Sequence, residues 1–78
     1  MKCERIVWLD SCSHEGWHDP TGTKYKPVRC TTFGHVVHED DKSITLAASV
    51  ESKNQVCSAM TIPKVVIVKR VRLRKASK

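Results

Sequence analysis

The stretch Ser43-Ile44-Thr45-Leu46-Ala47-Ala48-Ser49-Val50 decides the fold that this sequence predicts. Its even-numbered residues are aliphatic, and its odd-numbered residues are small or polar. A period of two is typical of a β-strand that buries one face. Polar runs at 39–42 and 51–54 flank the stretch and are typical of turns. We therefore expect a half-buried strand with antiparallel neighbours on both sides.

Four more strands are predicted around this one. Gly34 lies near the middle of the long run 28–38, where a strand can bend or bulge. Met60 and Ile62 are expected on the inner face of the strand that follows the second turn. The segment Pro63-Lys64-Val65 predicts one tight turn, because proline cannot donate to a sheet ladder. The predicted strands cover residues 5–10, 28–38, 43–50, 55–62 and 66–73.

The chain is predicted to be one all-β domain. A length of 78 residues does not provide a second core. The strand order and the single turn are typical of a small five-stranded SH3-like or Sm-like barrel, with a strongly bent antiparallel sheet as the alternative. The folded β core is expected over 5–73, an irregular loop over 11–27 and a basic tail over 74–78. Helix should be limited to one short turn.

The positive charge is concentrated in the second half of the chain. Residues 1–39 carry five basic and five acidic side chains, whereas residues 40–78 carry nine basic and three acidic ones. If the last strand is extended, Arg70, Arg72 and Arg74 share one face at intervals of about 6.8 Å, and Val71 and Leu73 point into the core. Such a row can bind phosphates. The alternative is that the arginines protect an edge strand from aggregation.

Lys64 and Lys69 add to this basic strand. The five basic residues are therefore candidates for contacting nucleic acid, a nucleotide or an acidic protein surface.

The loop supplies the other candidate binding residues. Trp17 lies between Gly16 and His18, in a segment where a large ring is hard to bury. Trp17, His18 and Tyr25 are expected to form a recognition surface, because binding residues concentrate on loops held by a rigid scaffold. The alternative is that Trp17 folds back and covers one end of the sheet.

The cysteines and histidines raise a zinc alternative. Cys12, His14, His18 and Cys30 are weak candidate ligands, and Cys3 or His35 could complete a set. Their spacing matches no known zinc motif, so we expect no metal and no cofactor. Cys12 and His14, with Asp10 or Asp19, resemble a nucleophile set only in residue type, and no oxyanion-hole pattern accompanies them.

The expected compartment is the bacterial cytoplasm. The first residues, Met1-Lys2-Cys3-Glu4-Arg5, precede only a short apolar run, so no secretory leader is expected. The four separate cysteines are then expected to be reduced thiols. No apolar run is long enough for a membrane span.

Several stretches resemble small uncharacterised proteins of tailed phages and prophages. They are Trp8-Leu9-Asp10-Ser11, Gly16-Trp17, Gly34-His35-Val36-Val37-His38-Glu39-Asp40-Asp41, Ile44-Thr45-Leu46-Ala47-Ala48-Ser49 and Met60-Thr61-Ile62-Pro63-Lys64. The resemblance covers about residues 6–73 in order, and Cys12 stands where those proteins suggest serine. It implies expression in an infected bacterium and assigns no residue a role.

From these features we expect a non-enzymatic accessory protein that binds a host or defence-system protein. Two alternatives stay open: an Sm-like module for nucleic acid or cyclic nucleotides, and a small zinc-binding domain. A homo-oligomer is compatible with the short chain, and no membrane partner is expected.

Overall fold

The computed structural model describes residues 2–74. Five strands form one antiparallel sheet: β1 (Cys3–Asp10), β2 (Val28–Glu39), β3 (Ser43–Val50), β4 (Val56–Pro63) and β5 (Ile67–Leu73). A single 3₁₀ turn, Lys64–Val66, joins β4 to β5. The all-β prediction is confirmed, with strand bounds close to those expected. In the described part of the chain, no helix is long and apolar enough to cross a membrane.

The sheet is open rather than closed. Its strand order is β4-β3-β2-β1-β5, so β4 and β5 form its two edges. The radius of gyration is 16.4 Å, whereas a compact domain of this length has a value of about 11–12 Å. The bent-sheet alternative is therefore correct, and the closed barrel is not formed.

One face of the sheet, called the inner face here, carries the apolar core. Ile6, Ile44, Leu46 and Ile62 are fully buried there. Four partly buried side chains pack against them, namely those of Trp8, Val36, Val66 and Ile67. The indole Nε1 of Trp8 donates a hydrogen bond of 2.9 Å to Thr32 Oγ1. Met60 lies opposite Leu46, on the predicted inner face, but remains 44% exposed at the sheet edge.

Gly34, where a bend or bulge was predicted, pairs with Glu4 on β1 without a register shift, and the irregularity of β2 lies further along, between Val36 and His38. A Cβ atom at Gly34 would lie 2.9 Å from the Ala47 carbonyl oxygen and 3.0 Å from Leu46 Cβ. The missing side chain therefore lets β2 and β3 approach closely at this position.

Two irregularities change which side chains face the core. The register shifts between Val36 and His38 in the β2–β3 pair, and between Val7 and Trp8 in the β1–β5 pair. Each shift places one extra residue in a strand, at Val37 and at Val68, as in a β-bulge. Because side chains alternate with a period of two, every residue beyond such a bulge moves to the opposite face.

The second bulge overturns the predicted orientation of β5. Arg70 pairs with Ile6 and Arg72 pairs with Glu4, so both arginines lie on the inner face. Val71 pairs with Arg5 and Leu73 with Cys3, on the opposite face, called the outer face here. The prediction that Val71 and Leu73 enter the core was wrong, because it assumed an unbroken strand.

Side chains and backbone together close both hairpin turns. Asp40 Oδ1 accepts hydrogen bonds of 2.8 Å from the backbone N–H groups of Lys42 and Ser43. These bonds lower the pKa of Asp40 to about 2. In the β3–β4 turn, Asn54 adopts a positive φ of 62° and donates to the Glu51 carbonyl oxygen at 2.9 Å. Asparagine tolerates this conformation better than most residues.

Candidate functional site

Three aromatic rings of the predicted recognition loop come together in the structure. His18 Nε2 lies 2.6 Å from the Tyr25 hydroxyl oxygen. The ring of His14 packs edge-on against Tyr25, with centroids 4.9 Å apart. We call His14, His18 and Tyr25 the loop cluster. It joins residues on both sides of the bend at Pro20-Thr21-Gly22-Thr23, so the loop has a small framework of its own.

Trp17 projects from this framework into solvent, with a relative exposure of 105%. Gly16 precedes it with a φ of 85°, a conformation that favours glycine. His18 follows and is held through its contacts with Tyr25 and with the Gly16 carbonyl oxygen. The alternative that Trp17 covers one end of the sheet is wrong, since the indole contacts no core residue.

An open groove of about 290 Å³ lies beside the loop cluster. Its lining residues are Ser11, Cys12, His14, Tyr25, Lys26 and Pro27. The Cys12 thiol points to the Ser13 carbonyl oxygen at 3.8 Å. Asp10 and Asp19 accept backbone N–H groups from Ser11 and Thr21. The groups considered for nucleophilic chemistry are therefore each occupied locally and form no linked set.

The candidate zinc ligands do not form one metal site, although His14 and His18 lie near each other in the loop cluster. Among residues 2–74, no three histidine, cysteine or acidic side chains are placed to hold one metal ion. Cys12 lies in the exposed loop, whereas Cys30 is half-buried on β2. Cys3 Sγ instead lies 3.3 Å from His35 Nδ1 across the β1–β2 pair.

Arg70 and Arg72 share one face as predicted, but Arg70 is bound within the protein and so does not act in a row of free arginines. Its Nε and Nη2 atoms donate to the two carboxylate oxygens of Glu4, both at 2.8 Å. Its Nη1 and Nη2 atoms donate to Glu39 at 2.9 and 3.1 Å. One guanidinium group thus bridges two carboxylates on the inner face, and Lys64 Nζ adds a contact of 2.7 Å to Glu39.

These four residues, Glu4, Glu39, Lys64 and Arg70, are called the ion-pair network here. Hydrogen bonds from Arg70 lower the pKa of Glu4, and those from Arg70 and Lys64 lower the pKa of Glu39 to about 2. The Glu4 side chain is only 9% exposed, so its carboxylate depends on Arg70 for a counter-charge. The network is a structural element that links β1, β2, β5 and the 3₁₀ turn.

The sequence interpretation missed both acidic members of this network. Glu39 was assigned to the polar turn 39–42, whereas it is the last residue of β2 and faces inward. The signal for Glu4 was present: strand alternation places it on the face of Ile6 and Trp8. A carboxylate in that position requires a basic partner.

The remaining predicted basic residues are dispersed. Lys69 lies on the outer face opposite Val7. Arg72 is exposed on the inner face, and Arg74 follows the end of β5. The rest of the predicted basic tail, residues 75–78, lies outside the described residues. The predicted basic surface is therefore divided: Arg70 and Arg72 share the inner face, and Lys69 lies on the outer face.

No family model, no curated protein and no solved structure matches this chain. The geometry of the chain itself is therefore the basis for a functional proposal.

Proposed function

We propose that this domain is a non-enzymatic binding protein whose partner is a protein of a bacterial host. In this proposal the 11–27 loop makes the contact, and Trp17 is its central residue. The phage resemblance of the sequence motivates the choice of a host partner.

The exposure of Trp17 is the observation that supports the proposal. Burial of a large apolar side chain stabilises a fold by about 1.5–3 kcal/mol, and residues 2–74 contain only four fully buried large side chains. Trp17, one of the two tryptophans, nevertheless projects into water. Tryptophan is enriched among the residues that dominate binding energy at protein interfaces, where it fills a pocket of the partner.

The loop cluster supports Trp17 from behind. A binding residue contributes more when its own backbone is ordered before the encounter, because less conformational entropy is lost on binding. The contact of 2.6 Å between His18 and Tyr25 restrains the residue next to Trp17. His14 and Tyr25 keep exposed ring edges beside the open groove, which gives a partner a second point of contact.

The charge of the loop favours a protein partner over a polyanion. Residues 11–27 contain two acidic and two basic side chains, so the loop has no net charge with neutral histidines. A surface selected for phosphates would carry an excess of positive charge. Trp17 in a charge-balanced loop is instead typical of recognition by burial of an apolar anchor.

Site-specific photo-crosslinking tests the proposal. A benzophenone amino acid at position 17 is expected to capture one bacterial protein from lysate in stoichiometric yield. Position 65 is the matched control, because Val65 is also an exposed apolar residue, at 93%, but lies in the 3₁₀ turn. Excess unlabelled protein should compete for the crosslink, and the Trp17→Ala variant should not.

Equal capture from positions 17 and 65, or equal competition by Trp17→Ala, would contradict the proposal. Crosslinking of the chain only to itself would also contradict it and would identify a homo-oligomer contact instead.

A further inference from the structure

The two faces of the sheet differ in charge, and the sequence did not reveal this difference. Every acidic residue within the five strands lies on the inner face: Glu4 pairs with Gly34 beside Ile6, Asp10 with Val28, and Glu39 with Ile44. The outer face of β1, β2 and β5 carries Arg5, Arg29 and Lys69 instead. This face therefore has three positive charges and no strand carboxylate to neutralise them.

The strand pairing fixes the positions of these three basic residues relative to one another. Val7 pairs with Thr31 on one side and with Lys69 on the other. Arg5 is two residues before Val7 on β1, and Arg29 is two residues before Thr31 on β2. With strands about 4.8 Å apart and a rise of about 3.4 Å per residue, their Cα atoms are about 8–14 Å from one another. That spacing suits a few successive phosphates rather than one small anion.

Phe33 lies at one end of this area and is 61% exposed. It pairs directly with Arg5, so the two Cβ atoms are about 4.5–5.5 Å apart. Phe33 sits on β2, an interior strand of the sheet, and most of its surface remains exposed to solvent. An exposed ring held on a strand is a platform on which a nucleobase can stack.

We infer that the outer face of β1, β2 and β5 binds single-stranded nucleic acid, with Phe33 stacking on a base and Arg5, Arg29 and Lys69 contacting phosphates. The positive charge selects a polyanion. The exposed ring selects an unpaired strand, because the bases of a duplex are already stacked on each other. This surface is separate from the loop proposed to bind a protein.

Fluorescence anisotropy with labelled dT12, U12 and a 12-base-pair duplex tests the inference. We expect dT12 or U12 to bind more tightly than the duplex, and the comparison of the two identifies DNA or RNA as the preferred strand. Three phosphate contacts predict that log K falls with log salt concentration at a slope of about −2, at about −0.7 per contact.

Variants of the patch give residue-level expectations. Phe33→Ala should weaken binding by about 5- to 150-fold, the effect of losing one stacked base, whereas Phe33→Trp should retain it. Arg29→Gln and Lys69→Gln should each reduce the slope by about 0.7. Arg72→Gln is the matched control, because Arg72 is an exposed arginine on the same strand as Lys69 but faces the other way.

Three results would overturn the inference: no binding at 20 mM salt, equal affinity for duplex and single strand, or the same loss in Arg72→Gln as in Lys69→Gln. Equal binding of a polyglutamate peptide would overturn it too, by showing an acidic polypeptide surface instead. Trp17→Ala should leave the affinity for dT12 and U12 unchanged, so failure of either proposal can be recognised separately.

Discussion

Replacing Arg70 by methionine tests whether the ion-pair network holds the open sheet together. Methionine keeps much of the side-chain length and removes the four hydrogen bonds that the guanidinium donates to Glu4 and Glu39. The Glu4 carboxylate then remains on the inner face without a counter-charge, at 9% side-chain exposure. We expect Arg70→Met to lower the free energy of unfolding.

The expected size follows from the exposure of the two partners. Removing one partner of a fully buried ion pair costs about 3–5 kcal/mol, and an exposed pair is worth about 0–1 kcal/mol. The Arg70 side chain is 33% exposed and Glu4 is nearly buried, so we expect a loss between these limits, about 2–3 kcal/mol. For a domain of this size that corresponds to a decrease in Tm of about 10–20 °C.

Urea unfolding followed by tryptophan fluorescence and circular dichroism measures this loss. Arg72→Met is the matched control, since Arg72 lies on the same strand and face and forms no ion pair among residues 2–74. The double variant Glu4→Met/Arg70→Met should recover most of the stability, because replacing both partners by apolar groups removes the unpaired charge. The reasoning would be refuted by equal losses in Arg70→Met and Arg72→Met, or by a double variant less stable than Arg70→Met.

Three further predictions concern pH and backbone geometry. The pKa values of Glu4 and Glu39 are lowered in the folded protein, to about 2 for Glu39 against 4.5 normally. Between the lowered and the normal pKa, the unfolded chain therefore binds more protons than the folded chain. Tm should therefore fall as pH decreases from about 5 to 2, less steeply in Arg70→Met, and identical slopes would contradict the network. Gly34→Ala should cost about 1–3 kcal/mol in urea unfolding, because its Cβ would meet β3; a loss below about 0.5 kcal/mol would mean that the strands separate freely. Ser58 has a positive φ of 58°, so Ser58→Gly should be neutral or raise Tm, whereas Ser49→Gly on the extended neighbouring strand should lower it; the reverse order would exclude the strained backbone.

Much of the fold could be predicted because its signals are local. The alternation in 43–50, the polar turns on both sides of it and the turn at Pro63 each depend on neighbours in sequence, and all three appear in the structure within one residue of their expected bounds. The irregular loop 11–27 was also predicted, since two prolines and a glycine prevent a regular element there. Closure into a barrel is a different kind of property, because it depends on whether two edge strands meet.

The candidate sites were predicted less well, because they depend on which face a side chain occupies. Trp17, His18 and Tyr25 lie in one exposed loop as expected, and the contact between His18 and Tyr25 is additional. Phe33 and Arg29 were not selected, since nothing in the sequence shows which face of β2 stays uncovered. The basic strand was chosen for its charge, and that charge turned out to be divided between two faces.

The sequence by itself determined that this protein is a small β-sheet domain with one long loop and an excess of positive charge. Composition and alternation suffice for those properties. Only the tertiary structure decided where the charges act, through the bulges at Val37 and Val68. One extra residue in a strand moves every side chain beyond it to the opposite face of the sheet. Glu39 and Arg70 therefore meet Glu4 on the inner face, and Lys69 joins Arg5 and Arg29 on the outer face.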